Sequence, residues 1–288
     1  VQYQISHQTV YSYSQTVLLK PHLLRLRPRS DRFTQIQYFS LSVLPQPQEI
    51  SDFVDLDGNN LTKLWFIEST TQLSIQTVAT VITSCTNPFA YLLEPWATSL
   101  PFDYPSSLLR QLKPYLSSYS LIADATTLEL AQDLVLTTQG NTLDFLFALN
   151  QKIYQDCYYI TRETGEPYPA GLTWRRKQGS CRDYVVLFME VCRAVGIAAR
   201  FVSGYQEGDM DQKSRDLHAW VEVYLPGAGW RGYDPTLGLV VGDRHIPLAA
   251  SAIPSYASAV EGSVTPIKPG DNLTAELKTQ IMIDLIES

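Results

Sequence analysis

The sequence predicts an α+β protein: an N-terminal antiparallel β-sandwich-like domain, then a helical lobe, then a second antiparallel sheet. Three observations predict it. Residues 2 to 14 alternate strictly, residues 106 to 155 place apolar side chains at helical spacing, and from 198 onward alternation returns in short runs bounded by turns. Helices first and antiparallel strands after is the order of an α+β domain.

In the first strand Tyr3, Ile5, His7, Thr9, Tyr11 and Tyr13 face one way and Gln2, Gln4, Ser6, Gln8 and Ser12 the other, the pattern of a half-buried strand. Similar alternation over 33 to 43 and 72 to 83, with a turn signal at Asp57, Gly58 and Asn59, predicts an all-β domain over residues 1–87. His7 lies on the apolar face and reads as a core histidine. Strand alternation places Arg25, Arg27 and Arg29 on one face opposite Leu24 and Leu26. With Arg32 they read as an interdomain face meeting acidic groups rather than as a nucleic-acid patch. A Pro and aromatic stretch then opens the second domain, residues 88–288. Helices are predicted over 106 to 117, 126 to 137 and 142 to 155, strands over 198 to 205, 217 to 225 and 230 to 234, and residues 273 to 286 are expected to close the second sheet.

The chain has 288 residues, 45% of them hydrophobic, enough for one large core or two modest ones, and a net charge of −7 that opposes non-specific nucleic-acid binding. No apolar run is long enough to span a bilayer, and the opening does not resemble a signal peptide. The expectation is a cytoplasmic protein with neither a nucleic-acid nor a membrane partner. The four cysteines, Cys85, Cys157, Cys181 and Cys192, match no disulfide framework. Cys181 and Cys192 on one helix would lie about 16 Å apart, well beyond the roughly 7 Å Cα limit for a bridge. No CxxC or HxxxH pair suggests a metal, and no cofactor is expected.

Chemistry concentrates in three motifs: Cys181 in GSCRDY, His218 in DLHAWVEVY and Asp234 in GWRGYDPT. A thiol that attacks a carbonyl needs an imidazole to take and return its proton and a carboxylate to orient that imidazole. Apolar residues at 185, 188, 192 and 195 put Cys181 at a helix N-terminus, where unpaired N–H groups and the positive dipole end favour a thiolate. His218 opens one strand of a hairpin and Asp234 ends the other. The two share a face only if their pairing register is even, so the loop must hold an odd number of residues. We expect Pro226 to Ala228 as the loop, Gly229 in a left-handed bulge, and Asp234 opposite Trp220, diagonal to His218.

The segments GSCRDYVVLFMEVCRAVGIAARFVSGY, HAWVEVYLPGAGWRGYDPT and DRHIPLA resemble the bacterial transglutaminase-like cysteine protease family, and YQISHQTVYSYSQTV, LRLRPR and DLDGNNL resemble that family's N-terminal region. The resemblance implies a papain-like α+β core with Cys181 as nucleophile, His218 as base and Asp234 as the orienting residue. Many relatives carry Asn-Gly after Asp-Pro-Thr and a later Gly-Arg-Asp-Tyr. This chain has Leu237-Gly238 and then Ala249 to Tyr256, so its substrate-facing wall is expected to differ. One oxyanion donor is the Cys181 backbone N–H, and Trp174 and Gln178, shortly upstream, are candidates for the second. Three function classes follow: a hydrolase of peptide or amide bonds acting through an acyl-enzyme, a true transglutaminase, and an inactive protein-binding scaffold. Hydrolysis leads, because water is the default acceptor where nothing excludes it.

Overall fold

The computed structural model describes residues 1–118, 124–162, 165–208, 215–268 and 272–286. The predicted alternation produces β1 (Gln2–Leu19), β2 (His22–Leu24), β3 (Thr34–Leu44), β4 (Glu49–Val54), β5 (Asn60–Trp65) and β6 (Ser69–Thr83). The helical stretch forms α1 (Ser106–Leu116), α2 (Ala125–Thr137) and α3 (Thr142–Asp156). The next elements are β7 (Tyr158–Tyr159), α4 (Ala170–Arg176), β8 (Gln178–Gly179) and α5 (Cys181–Ala194). Then come β9 (Ala199–Gln206), β10 (His218–Leu225), β11 (Gly229–Asp234), β12 (Leu239–Val240) and β13 (His245–Ser251). Three strands complete the fold: β14 (Val260–Glu261), β15 (Val264–Pro266) and β16 (Ala275–Leu285). No helix among the described residues is long and apolar enough to cross a membrane.

The N-terminal module holds two sheets. One has the order β15-β1-β6-β3, with β16 also paired to β1, and the other runs β14-β2-β5-β4. They share one core, in which Tyr3, Ile5, Ile75 and Val81 of the first sheet meet Leu24 and Leu64 of the second. Full burial of such side chains contributes about 1.5–3 kcal/mol each. Tyr205, Ile246 and Leu248 of the second module complete this core, so separating the modules would expose part of it.

The strand expected to close the second sheet does something else. Residues of β16 pair along β1 from Tyr3↔Leu285 to Tyr13↔Ala275, and β14 and β15 pair with β2 and β1. The chain from residue 260 on, assigned from sequence to the second domain, is therefore built into the first. Alternation reveals which face of a strand is buried but not which edge it will join. The arginine cluster also differs from expectation, because strand structure stops at Leu24. Arg25 is buried and pairs with Glu261 at 3.2 Å, Arg29 holds Asp57 and Asn59 of the β4–β5 turn, and Arg27 and Arg32 lie over Phe39 and Phe33. The interface is instead held by Asn59, fully buried, whose amide donates to the Ala250 carbonyl at 2.9 Å and accepts the Ala250 N–H at 2.8 Å. His7 is buried as a core histidine, 2.9 Å from the Tyr205 hydroxyl and 2.9 Å from that of Thr9.

The second module packs helices against a sheet of order β12-β11-β10-β9-β13. Helix α5 lies at its centre, with Tyr184, Val185, Leu187, Phe188, Val191 and Cys192 buried against Ala219, Val221, Val223 and Leu225 of β10. The opposite face of β10 carries His218 and Trp220. All four cysteines are free thiols.

Candidate active site

The N-terminus of α5 is built before any chemistry is placed on it. Ser180 precedes the helix in extended conformation, with φ −91° and ψ 176°. Asp183, three residues on and fully buried, accepts the Ser180 N–H at 2.7 Å and its hydroxyl at 2.8 Å on Oδ2. Its other oxygen accepts Arg162 Nη1 at 2.6 Å and the Tyr168 N–H at 2.7 Å. This Ser-x-x-Asp arrangement is one half of a capping box. It leaves Cys181 as the first helical residue, with an N–H that has no intrahelical acceptor and a partly exposed side chain.

The hairpin of β10 and β11 follows the even register. Val221 pairs with Tyr233, Tyr224 with Trp230 and Leu225 with Gly229, which leaves a three-residue loop of Pro226, Gly227 and Ala228. Gly229 has the left-handed φ of +75° that closes such a loop, and it stays paired. Continued one step, the register sets Asp234 opposite Trp220. His218 lies across β9 from Gly204, where a Cβ would come within 2.5 Å of the Trp220 ring and 2.3 Å of the Ile246 carbonyl oxygen. Glycine there lets Trp220 lie flat beside the imidazole.

In this frame His218 Nε2 lies 2.7 Å from Asp234 Oδ2, and the Cys181 thiol is among the groups that act on the same ring. Asp234 is fully buried. Its Oδ1 accepts the N–H groups of Thr236 and Leu237 at 3.0 and 3.3 Å, and its Oδ2 also takes His245 Nε2 at 3.1 Å. Burial alone would push the His218 imidazole down. The charge and hydrogen bond of Asp234, joined by Cys181, override it and hold the imidazole up to about 10. Burial would likewise raise the Asp234 carboxyl, but His218, helped by the His245 hydrogen bond, keeps it well below the usual carboxylate range. Of the three side chains singled out from sequence, His218 and Asp234 are hydrogen-bonded and Cys181 acts on the same imidazole.

Residues 129–235 match the transglutaminase-like superfamily, and residues 3–82 match the bacterial transglutaminase-like N-terminal region. Residues 129–235 thus form a transglutaminase-like core. A crystal structure of a candidate cysteine protease from Cytophaga hutchinsonii has the same fold, with a TM-score of 0.70 at 20% identity over 98% of this chain and 97% of the other. An uncharacterised protein of Mycobacterium tuberculosis is 29% identical over 258 residues, 85% of this chain and 81% of the relative. The protein-glutamine gamma-glutamyltransferase of Pseudomonas aeruginosa is 40% identical over 67 residues, 21% of this chain and 10% of that protein. The transglutaminase-like core is α+β, with the helical lobe and antiparallel sheet described above.

The two upstream candidates lie apart from the thiol in their contacts. Trp174 on α4 is packed beneath the ammonium groups of Lys177 and Lys152, and Gln178 sits on β8 opposite Tyr158. Neither forms a hydrogen bond with Cys181 or His218 among the described residues. Three further residues at the site carry no role in the sequence reading: Asp183, Tyr159 and His245. Asp183 has a local signal as the acidic end of Ser180-x-x-Asp183. Tyr159 reaches the site because β7 pairs in parallel with β8, setting it beside Gly179 with its hydroxyl within hydrogen-bonding reach of Cys181. His245 reaches Asp234 from β13. Past Asp234, Asn150 donates to the Leu239 carbonyl at 3.1 Å and Gln151 to that of Gly238 at 2.6 Å. No group of three or more His, Cys, Asp or Glu side chains among the described residues could hold a metal ion.

Proposed function

We propose that this chain is a cysteine hydrolase that cleaves a peptide or amide bond through a thioester acyl-enzyme, with Cys181, His218 and Asp234 as its triad. The observation that carries this reading is the double engagement of one imidazole. His218 binds a buried carboxylate through Nε2 at 2.7 Å, and the thiol of Cys181 at a helix N-terminus acts on the same ring.

The Cys181 sulfur attacks the carbonyl carbon while its proton resides on His218 Nδ1, and the negative charge passes to the carbonyl oxygen, toward the Cys181 N–H. The C–N bond then breaks, and the leaving amine takes the proton from His218. Water next attacks the thioester, giving a proton to His218 as the C–S bond breaks. The acid leaves, and the proton returns to sulfur. Asp234 keeps the imidazole in the tautomer and orientation both steps need.

A panel of peptides and amides in excess primary amine tests the reading, together with an electrophilic peptide probe read by intact mass. The expected results are mostly free acid, one covalent adduct on the native chain and none on Cys181→Ala. No turnover and no adduct with any probe would overturn it in favour of a binding scaffold. The local similarity to the Pseudomonas glutamyltransferase supports acyl transfer as the second reading, and a dominant amine adduct in the same experiment would put it first.

A further inference from the structure

Both lone-pair directions of one Asp234 oxygen are occupied by imidazoles. Oδ2 receives Nε2 of His218 at 2.7 Å and Nε2 of His245 at 3.1 Å, with Asp234 fully buried between them. The His245 ring is buried too, held on β13 by pairing with Gln206 and by an edge contact with Trp220 at 5.2 Å. Trp220 also stands 6.4 Å from the His218 ring. Two histidines, one tryptophan and one carboxylate therefore form a single packed unit, of which the reaction scheme uses only His218 and Asp234.

The second nitrogen of His245 settles its state. Nδ1 is buried and has no hydrogen-bond partner among the described residues. A hydrogen there would be a buried donor without an acceptor, costing about 1–3 kcal/mol, and would add a second cation to one carboxylate. Nε2 is thus the nitrogen that meets a partner, and it donates to Asp234. The adjacent Arg244 pairs with Glu207 at 3.4 Å.

We propose that His245 is a positioning residue of the active site: a buried imidazole that helps fix the Asp234 carboxylate and shares one of its oxygens, setting how tightly Asp234 holds the His218 hydrogen. Without His245 the carboxylate loses one of its four donors, and Oδ2 becomes a stronger acceptor for His218 alone. Both changes weaken His218 as the acid that releases the leaving amine. The proposal rests on the hydrolase reading for its kinetic consequence, but its structural part is measurable without substrate.

The test compares His245→Phe, which keeps a ring and removes the donor, with His245→Gln, which keeps an N–H near the same place. Proton NMR of the native chain should show two low-field imidazole N–H signals, from His218 and His245. In His245→Phe one should vanish and the His218 signal should move further downfield, while kcat on an amide substrate falls roughly tenfold to a hundredfold and KM changes little. His245→Gln should restore most of kcat and the native His218 signal. An unmoved His218 signal with kcat within twofold of native in His245→Phe would overturn the proposal and leave the hydrolase reading intact. If His245→Phe does not fold, a His245→Gln chain that folds yet loses as much as a deletion of the donor overturns it equally. A native chain with both signals and no turnover would instead count against the hydrolase reading alone.

Discussion

Arg162 and Asp183 form a 2.6 Å ion pair directly beneath the N-terminus of α5, with the carboxylate wholly out of solvent. Four donors converge on that carboxylate, two from Ser180 and one each from Arg162 and Tyr168. Removing it leaves the Arg162 guanidinium without its counter-ion and the helix cap without its acceptor. Asp183→Asn is expected to destabilise the fold by about 3–5 kcal/mol, the usual result of breaking a buried pair from one side. Urea unfolding measures it, and a loss below about 1 kcal/mol would show that the carboxylate is dispensable to the cap.

Iodoacetamide should find Cys181 first. Burial pushes the Cys157 thiol up to about 11, raises that of Cys85, and raises that of the fully buried Cys192 well above the ordinary value. Cys181 is partly exposed beside an imidazole that stays protonated at neutral pH. His218→Ala should slow its alkylation by about tenfold. Peptide mapping that finds another cysteine modified first would remove Cys181 as the nucleophile.

The raised His218 sets the alkaline behaviour. Its folded value of about 10 lies above the ordinary 6.5, so the stability it contributes is complete below about 6.5 and is lost as pH rises through about 10. The leaving amine needs the same proton, so kcat/KM should fall above about pH 10. In Asp234→Asn the carboxylate charge is gone, and the alkaline limb should move down toward 6.5. A limb that stays in place would mean that Asp234 does not set the His218 proton.

Tyr159 presents a phenol to the sulfur. Burial first, with the charges of Cys181 and Asp216 adding to it, pushes that phenol up to about 12, so it keeps its proton throughout the working range and can donate. Its ring is steadied edge-on against Tyr184 at 6.4 Å. Tyr159→Phe should lower kcat roughly tenfold to a hundredfold if the hydroxyl supports the oxyanion, with thermal stability little changed. Activity within twofold of native would exclude it as a donor.

His7 contributes the acid-side counterpart. Burial lowers its imidazole to about 4, so between about 6.5 and 4 the unfolded chain binds a proton that the folded chain refuses, and stability falls as pH drops through that window. The loss is on the order of 3 kcal/mol, at about 1.4 kcal/mol per pKa unit. His7→Gln should flatten the stability profile between pH 6.5 and 4, and an unchanged slope would assign the acid sensitivity elsewhere.

Much of this was readable before any coordinates. The strict alternation of 2 to 14 defined β1, and hairpin parity placed Asp234 on the His218 side of its sheet, because side chains on paired strands have only two faces to choose from. The helix start at Cys181 followed from apolar spacing. The residues that escaped are those whose partners lie far away in sequence. His245 lies in DRHIPLA, yet nothing local there names Asp234 as its partner, and Tyr159 depends on a two-residue pairing between β7 and β8. Arg25 and Arg29 followed the turns after Leu24 rather than a strand, since Pro28 and the β4–β5 turn redirect the chain there. The partner of β16 was illegible for a different reason, because several open edges would accept the same alternating strand.

The ladder between β1 and β16 also determines how the molecule meets mechanical load. Tyr3 lies across from Leu285 and Tyr13 across from Ala275, so the outer ends of the two strands emerge side by side. The hydrogen bonds of an antiparallel pair run perpendicular to its strands. A pull applied through those two ends would strain the bonds one after another, starting at Tyr3 and Leu285, and peel the pair open like a zipper. The second module is tied to the middle of that ladder by the Arg215 N–H, which donates to the Ile281 carbonyl at 2.9 Å, so load would reach it when the peel arrives there.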